Sequence, residues 1–337
     1  MLFRSLSSAD MDLGEVLESP QGSQSSSRVG ACTCTFLPSC SSSVALPFAW
    51  IEGLIVVLIP FIIGIFYSFT GWRGSFFMGP NGRTTNPFEA FLGLKNYIAA
   101  FKQESFRSAF LFSVKFTVLA VIAVNVVALA QALLVNAIGK AVGIFRATFF
   151  LPNLLGGLSL GFIWLFIFNN IFTKVLFGKE GVIPIKFLTY MTDKDPNKLM
   201  FAILIMAVWQ MSGYMMVIYT TGLANISDDY YEAASIDGAN AFQKFFKITI
   251  PMLMPSFTIV FFLVLSRCFM LLDQNIALTN NAPQGYRMLA AQVLKVTNDT
   301  NGNYGIAQAE AVIFFLVVAA ISITQTVILK GKEVEMQ

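Results

Sequence analysis

The chain alternates between runs of Leu, Ile, Val, Phe and Ala and shorter polar segments. A window of about 20 residues, the length that crosses a bilayer core, picks out six apolar runs. They lie near 47–69, 111–135, 144–168, 200–222, 252–273 and 309–329. Each is apolar on every side. A backbone in lipid must satisfy its own hydrogen bonds, so these runs predict helices and an all-α membrane protein, a six-transmembrane-helix bundle. Pro60 and Pro152 fall in or at the edges of spans, where kinks are tolerated, and Pro251 and Pro255 mark the start of the fifth. Gly157 and Gly161 have the spacing of a close helix contact, but glycine is common in membrane helices and the spacing is read as incidental.

Residues 1–45 are different material, Ser-rich and lacking the continuous apolar core of a signal peptide. They predict a disordered tail, or a misassigned translation start, ahead of a transmembrane domain spanning 46–337. Cys32, Cys34 and Cys40 lie in this tail and, with no paired spacing and no His in the chain, read as idle thiols. Cys268, inside the fifth span, reads as a small buried hydrophobe.

The polar loop 223–250 between the fourth and fifth spans carries the most specific pattern. Read as one helix, it sets Ala234, Gly238 and Ala241 at i, i+4 and i+7, a stripe almost without side chain, flanked by the carboxylates of Glu232 and Asp237. Ser227 is the expected N-cap, with Asp228 and Asp229 where the helix dipole favours acids. Such a helix suits the close approach of a partner; the plainer reading is an amphipathic connector.

The run Glu232-Ala233-Ala234, three residues, Gly238, nine residues, then Ile248-x-Ile250-Pro251 resembles the cytoplasmic signature of the permease subunits of bacterial ABC importers. Ile250 stands where members usually carry Leu. Gly93-Leu94-Lys95-Asn96-Tyr97, Leu151-Pro152, Trp164 and Leu278-Thr279-Asn280-Asn281-Ala282-Pro283 resemble the carbohydrate branch, maltose and glycerol-phosphate permeases included. Members there commonly read L-T-G-G-G-P, from which Asn280, Asn281 and Ala282 depart. The resemblance covers roughly residues 48–337. It implies that Glu232, Ala233, Ala234, Asp237 and Gly238 dock an ATPase, and that a sugar or related polyol crosses by alternating access. The implied partners are a second, homologous permease subunit, two ATP-binding subunits and an extracytoplasmic solute-binding protein, in the bacterial cytoplasmic membrane. ATP and Mg would be used by the partner ATPase, with no cofactor in this chain.

Composition points independently to a membrane: 56% of the 337 residues are hydrophobic and 12% charged, against about 25% charged in soluble domains. The net charge of +3 is spread along the chain, without the basic patch that nucleic acid requires. The absence of His removes histidine-dependent catalytic triads and His-ligated zinc. No phosphate-cradling G-x-x-x-x-G-K-[ST] loop occurs, so ATP hydrolysis belongs to another chain. The rival reading is an ion-coupled secondary transporter or an uncoupled channel. It calls for intramembrane charges, and those noted are Glu52 and Lys115 near span ends and Arg267 and Asp273 late in the fifth.

An even number of spans places both termini and the docking loop on one side, which the resemblance makes cytoplasmic. Lys and Arg run against this, with about 8 on that side and about 12 on the other, although long loops weaken the rule. For the solute path, Trp209, Met211 and Tyr214 in the fourth span read as one broad helix face. The stretch Trp209–Met216 resembles the sugar-contacting stretch of maltose-type permeases, and aromatic rings suit the apolar faces of sugars. Packing or interfacial anchoring is the competing role for these aromatics. Arg267 and Asp273 read as reaching the headgroup region rather than as a gate pair.

Overall fold

The computed structural model describes residues 54–331, apart from 139–141, 179–180, 184, 193–194, 280–282 and 300–301. The Ser-rich tail, its three cysteines and Glu52 lie outside the described residues. The described chain folds as a helical bundle with one small hairpin. Helix α1 (Ile59–Ser68) is followed by β1 (Phe77–Gly79) and β2 (Gly82–Thr84), an antiparallel pair. Then come α2 (Lys95–Lys102), α3 (Glu104–Ala137), α4 (Val142–Phe150), α5 (Gly157–Phe166) and α6 (Pro196–Ala224). The chain closes with α7 (Asp228–Ile236), α8 (Ala241–Met252), α9 (Met254–Phe269), α10 (Asp273–Thr279), α11 (Leu289–Thr297) and α12 (Tyr304–Lys330).

Among the described residues, four helices are long and apolar enough to cross a membrane: Glu104–Ala137, Gly157–Leu176, Pro196–Ala224 and Tyr304–Leu329. The bent pair α8 and α9 makes a fifth if counted as one. The apolar helix Ile55–Ser68 falls short of that length within the described part of the first expected span.

Two expected spans are interrupted. The run 144–168 is not one helix: α4 continues as a 3₁₀ turn, Leu151–Leu154, the backbone extends at Leu155 and Gly156, and α5 begins at Gly157 and carries on to Leu176. Pro152 has no N–H and its ring crowds the preceding turn, and the glycine pair lets the chain restart in a new direction. The run 252–273 is likewise not one helix. α9 meets α8 at 65° across Leu253, between Pro251 and Pro255, ends at Phe269, and leaves Asp273 to start α10.

The centre is α3 against α6. Ala120, Val124, Ala128 and Ala132, four residues apart, are fully buried and let α6 come close with Met206, Met215 and Tyr219. The Tyr219 hydroxyl donates to Asn125 Oδ1 at 2.5 Å, and Asn125 Nδ2 donates to Val121 O at 2.6 Å, so this buried polar pair is satisfied. On the opposite side of α3, Val118, Ile122 and Val126 are exposed. Apolar side chains on both sides of one helix fit lipid or another subunit as the outer medium.

Glycine decides two contacts. Gly157 and Gly161 pack α5 onto α10: a Cβ on Gly161 would lie 2.4 Å from Ala277 Cβ, and one on Gly157 2.9 Å from Gln274. Their spacing is therefore a real close contact and not incidental. Gly213 of α6 lies under α4, where a Cβ would fall 1.7 Å from Phe149 O. A backbone atom cannot swing aside, so Gly213→Ala is expected to lower the thermal midpoint of the detergent-solubilised protein by several degrees or prevent assembly. Gly143→Ala, with open space around it, should leave that midpoint unchanged; equal melting of both variants by fluorescence-detected gel filtration would contradict the packing.

Candidate coupling loop and solute path

α7 forms where the sequence places it because both ends are capped. Ser227 Oγ accepts from Asp229 N at 3.3 Å, and Asp228 and Asp229 occupy the positive first turn. At the other end Gly238 N donates to Ser235 O at 3.1 Å and Ala239 N to Ala234 O at 2.9 Å. This is the Schellman arrangement, which requires a left-handed residue, and Gly238 supplies it with φ of +76°.

The expected stripe of Ala234, Gly238 and Ala241 on one helix therefore does not exist. The helix stops at Ile236, Gly238 turns the chain, and Ala241 opens α8. Asn240 starts α8 with a capping box, accepting from Gln243 N at 2.9 Å while Gln243 Oε1 accepts from Asn240 N at 2.8 Å. The two helices are tied together by Lys244 Nζ on Ser235 Oγ at 2.5 Å and by the Tyr231 and Thr249 hydroxyls at 2.9 Å. Glu232, Ala233, Asp237 and Gly238 are exposed and Ala234 is half-buried. Spacing alone gave no weight to the apolar side chains beside them: Ile236 is 87% and Phe242 77% exposed, and Phe246 is exposed as well.

The three solute-path candidates do not share a face. Positions i and i+2 point to nearly opposite sides of a helix, and accordingly Trp209 is 42% exposed whereas Met211 is 3% exposed, inside the core. Trp209 walls a cavity of about 670 Å³ bounded by α3, α4, α5 and α6, where it meets Trp164 edge-on at 5.7 Å between ring centroids. The lining is largely apolar. Two polar atoms among its residues, Trp164 Nε1 and Gln131 Oε1, have no hydrogen-bond partner among the described residues. Tyr214 lies elsewhere, against Phe150 at 6.1 Å and under the Arg267 guanidinium at 5.0 Å.

Arg267, expected to point outward, is half-buried against other segments of the bundle. Its Nη1 donates to Asn153 Oδ1 at 2.5 Å, which brings the last turn of α9 onto the 3₁₀ turn that follows α4. Beside it Gln274 Nε2 donates to Gln210 Oε1 at 3.2 Å, and Gln210 Nε2 to Leu155 O at 3.4 Å. Asp273 is exposed. No sequence pattern carries this cluster, because its members come from three stretches far apart in the chain, 153–155, 210–214 and 267–274. The sequence also hid Glu310 in α12, fully buried, beside a loop whose Arg287 donates to Gln292 Oε1 at 2.7 Å. Burial lowers the Arg287 guanidinium from its ordinary range, and the charge of Glu310 acts to raise it.

Cys268 is buried with a free thiol, as a small hydrophobe would be.

Against known proteins, residues 139–333 match the family described as "Binding-protein-dependent transport system inner membrane component". A probable starch degradation products transport system permease protein of Thermoanaerobacterium thermosulfurigenes is 39% identical, over 84% of this chain and 91% of that protein. A multiple sugar-binding transport system permease protein of Streptococcus mutans is 30% identical, over 82% of this chain and 90% of that one. In fold, a chain of a bacterial ABC transporter involved in the import of the acidic polysaccharide alginate superposes with a TM-score of 0.64 at 17% identity, covering 86% of this chain and 94% of that one. The helical bundle, the capped polar loop between α6 and α9 and these matches together place the chain in the family of binding-protein-dependent transport system inner membrane components, the non-enzymatic permease subunits of ABC importers.

Proposed function

We propose that the chain is the permease subunit of an ATP-driven importer that moves a sugar or related polyol by alternating access, with α7 as the element that docks a separate ATPase. The observation that carries this reading is the exposed, doubly capped unit Ser227–Lys244 joined to an apolar helix at 65°. A partner engaging Glu232, Ala233, Ala234, Asp237 and Gly238 would push on α8, and α8 leads directly into α9. Movement of a docked ATPase would then reach the middle of the bundle through one continuous connection, the kind of two-state element that alternating access requires.

The sugar class is supported by relatives named for starch products and multiple sugars, and by the two indoles in the wall of the cavity. Rings of this kind pack on the apolar faces of sugars. Trp209 is assigned to the wall of the solute path and Tyr214 to the polar cluster behind it, while Met211 packs the core. The assembly would comprise this chain, a second homologous permease, two ATP-binding subunits that use ATP and Mg, and an extracytoplasmic solute-binding protein. Six spans, with both termini and residues 223–250 on the cytoplasmic side, complete the reading.

Two experiments test it. Gly238 serves through its backbone conformation, so Gly238→Asn, which tolerates the left-handed region, should retain ATPase copurification and uptake. Gly238→Val should lose most of both, since a side chain there costs roughly 1–2 kcal/mol in strain. Normal coupling in the Val variant would remove α7 and its turn from the docking role. For orientation, single cysteines at Ser227 and Ser75 in a background without native cysteines are exposed to an impermeant thiol reagent on intact cells. Labelling is expected at Ser75 and protection at Ser227; the reverse pattern would invert the topology.

A further inference from the structure

We propose that the interrupted middle of the bundle is a selectivity site for a negatively charged carbohydrate, with Arg267 recognising the carboxylate or phosphate of the solute; this rests on the sugar-importer reading. Arg267 stacks on Tyr214, ten residues before Ala224 and eighteen after Pro196 in α6. At 1.5 Å per residue that is about 15 Å and about 27 Å from the two ends, well inside the bundle. A cation at such depth is costly unless it is paired or serves a solute. Its interactions among the described residues are one hydrogen bond to Asn153 and the Tyr214 ring, both uncharged. Asp273, the nearest acid along the chain, is exposed and makes no bond to it.

A guanidinium carries five N–H donors in a planar fork. With one engaged and the side chain only half-buried, the rest of the fork is open to an incoming anion, which carboxylate and phosphate match in pairs of bonds. The surroundings suit the remainder of a sugar. The amide of Gln210, one turn before Tyr214 in α6, meets that of Gln274 from α10, and Gly157 leaves no side chain between α5 and the Gln274 amide. Both α4–α5 and α9–α10 break beside this cluster, and interrupted helices within a membrane are where solutes can reach backbone and side-chain polar groups together.

The test uses the assembled transporter in proteoliposomes, comparing ATP hydrolysis stimulated by digalacturonate, maltose 6-phosphate and maltotriose. Wild type is expected to prefer one of the charged sugars over maltotriose, and the identity of that sugar separates carboxylate from phosphate recognition. Arg267→Gln should cut that preference by about ten-fold or more, and Arg267→Lys by less, because the charge remains without the fork. Asn153→Asp, which gives Arg267 an internal counter-charge, should suppress the preference while keeping the cation. Equal stimulation of wild type and Arg267→Gln by maltotriose, with no preference for charged sugars, would overturn the charge assignment and leave the sugar reading intact. Loss of assembly stability in Arg267→Gln with an unchanged preference in Asn153→Asp would make Arg267 a fastener, overturning it as well. Failure of all three sugars in an assembly that still binds its ATPase would overturn the sugar reading itself.

Discussion

Everything in this bundle depends on one constraint: a backbone group placed in an apolar medium must find its partner within the protein. Unbroken helices meet it trivially, and α3, α6 and α12 do so over their whole lengths. The chain nevertheless breaks inside the apolar runs: the helix is interrupted at Leu155–Gly156 and at Met270–Leu272, and bent by 65° across Leu253. The first break is covered from the side. Gln210 donates to the freed Leu155 carbonyl and Arg267 bonds Asn153 in the preceding turn. α5 and α10, the helices that follow the breaks at Leu155–Gly156 and Met270–Leu272, pack on each other through Gly157 and Gly161. Gln210, which repairs the backbone at the first break, thereby belongs to the same polar cluster as Gln274 and lies one turn from the Tyr214 ring under Arg267.

The loop 223–250, proposed above to couple the chain to an ATPase, solves a different problem by the same means. It lies outside the apolar runs and cannot rely on burial, so its two short helices are held by caps and cross-links: Ser227 at one end, the glycine turn in the middle, the Asn240–Gln243 box, and Lys244 on Ser235. Each such cap contributes on the order of 1 kcal/mol. Their sum favours a rigid unit over a flexible connector, and rigidity is what the proposed docking of an ATPase there would need to act on α9. The exposed Ile236 and Phe242 add apolar surface to a unit otherwise recognisable by its acids and alanines.

Much of this is legible in the sequence, for identifiable reasons. Apolar length alone locates the membrane-crossing material, since it depends on composition and not on tertiary contacts. Ser227 as a cap and the family signature around Glu232 are local and survive without a fold. The failures share a cause as well. A window average does not register a Pro-Gly-Gly interruption, so 144–168 reads as one helix, and a single carboxylate such as Glu310 lowers the average of a 20-residue run too little to stand out. The docking stripe fails because a helical projection assumes that the helix continues, whereas Gly238 has positive φ. Trp209 and Met211 group together by proximity in sequence, although a two-residue step on a helix separates them. Arg267 reads outward from its neighbours along the chain, while its partners Asn153 and Tyr214 are contributed by other segments of the bundle.

Solute movement through this chain is driven, on this reading, by an ATPase bound at the coupling loop. The most direct measurement is uptake into proteoliposomes of the full assembly, with ATP supplied only on the side bearing residues 223–250. Accumulation is expected to require hydrolysable ATP on that side and to persist when proton and sodium gradients are collapsed. Accumulation that continues without ATP and disappears with those gradients would contradict ATP-driven import and make the chain an ion-coupled transporter.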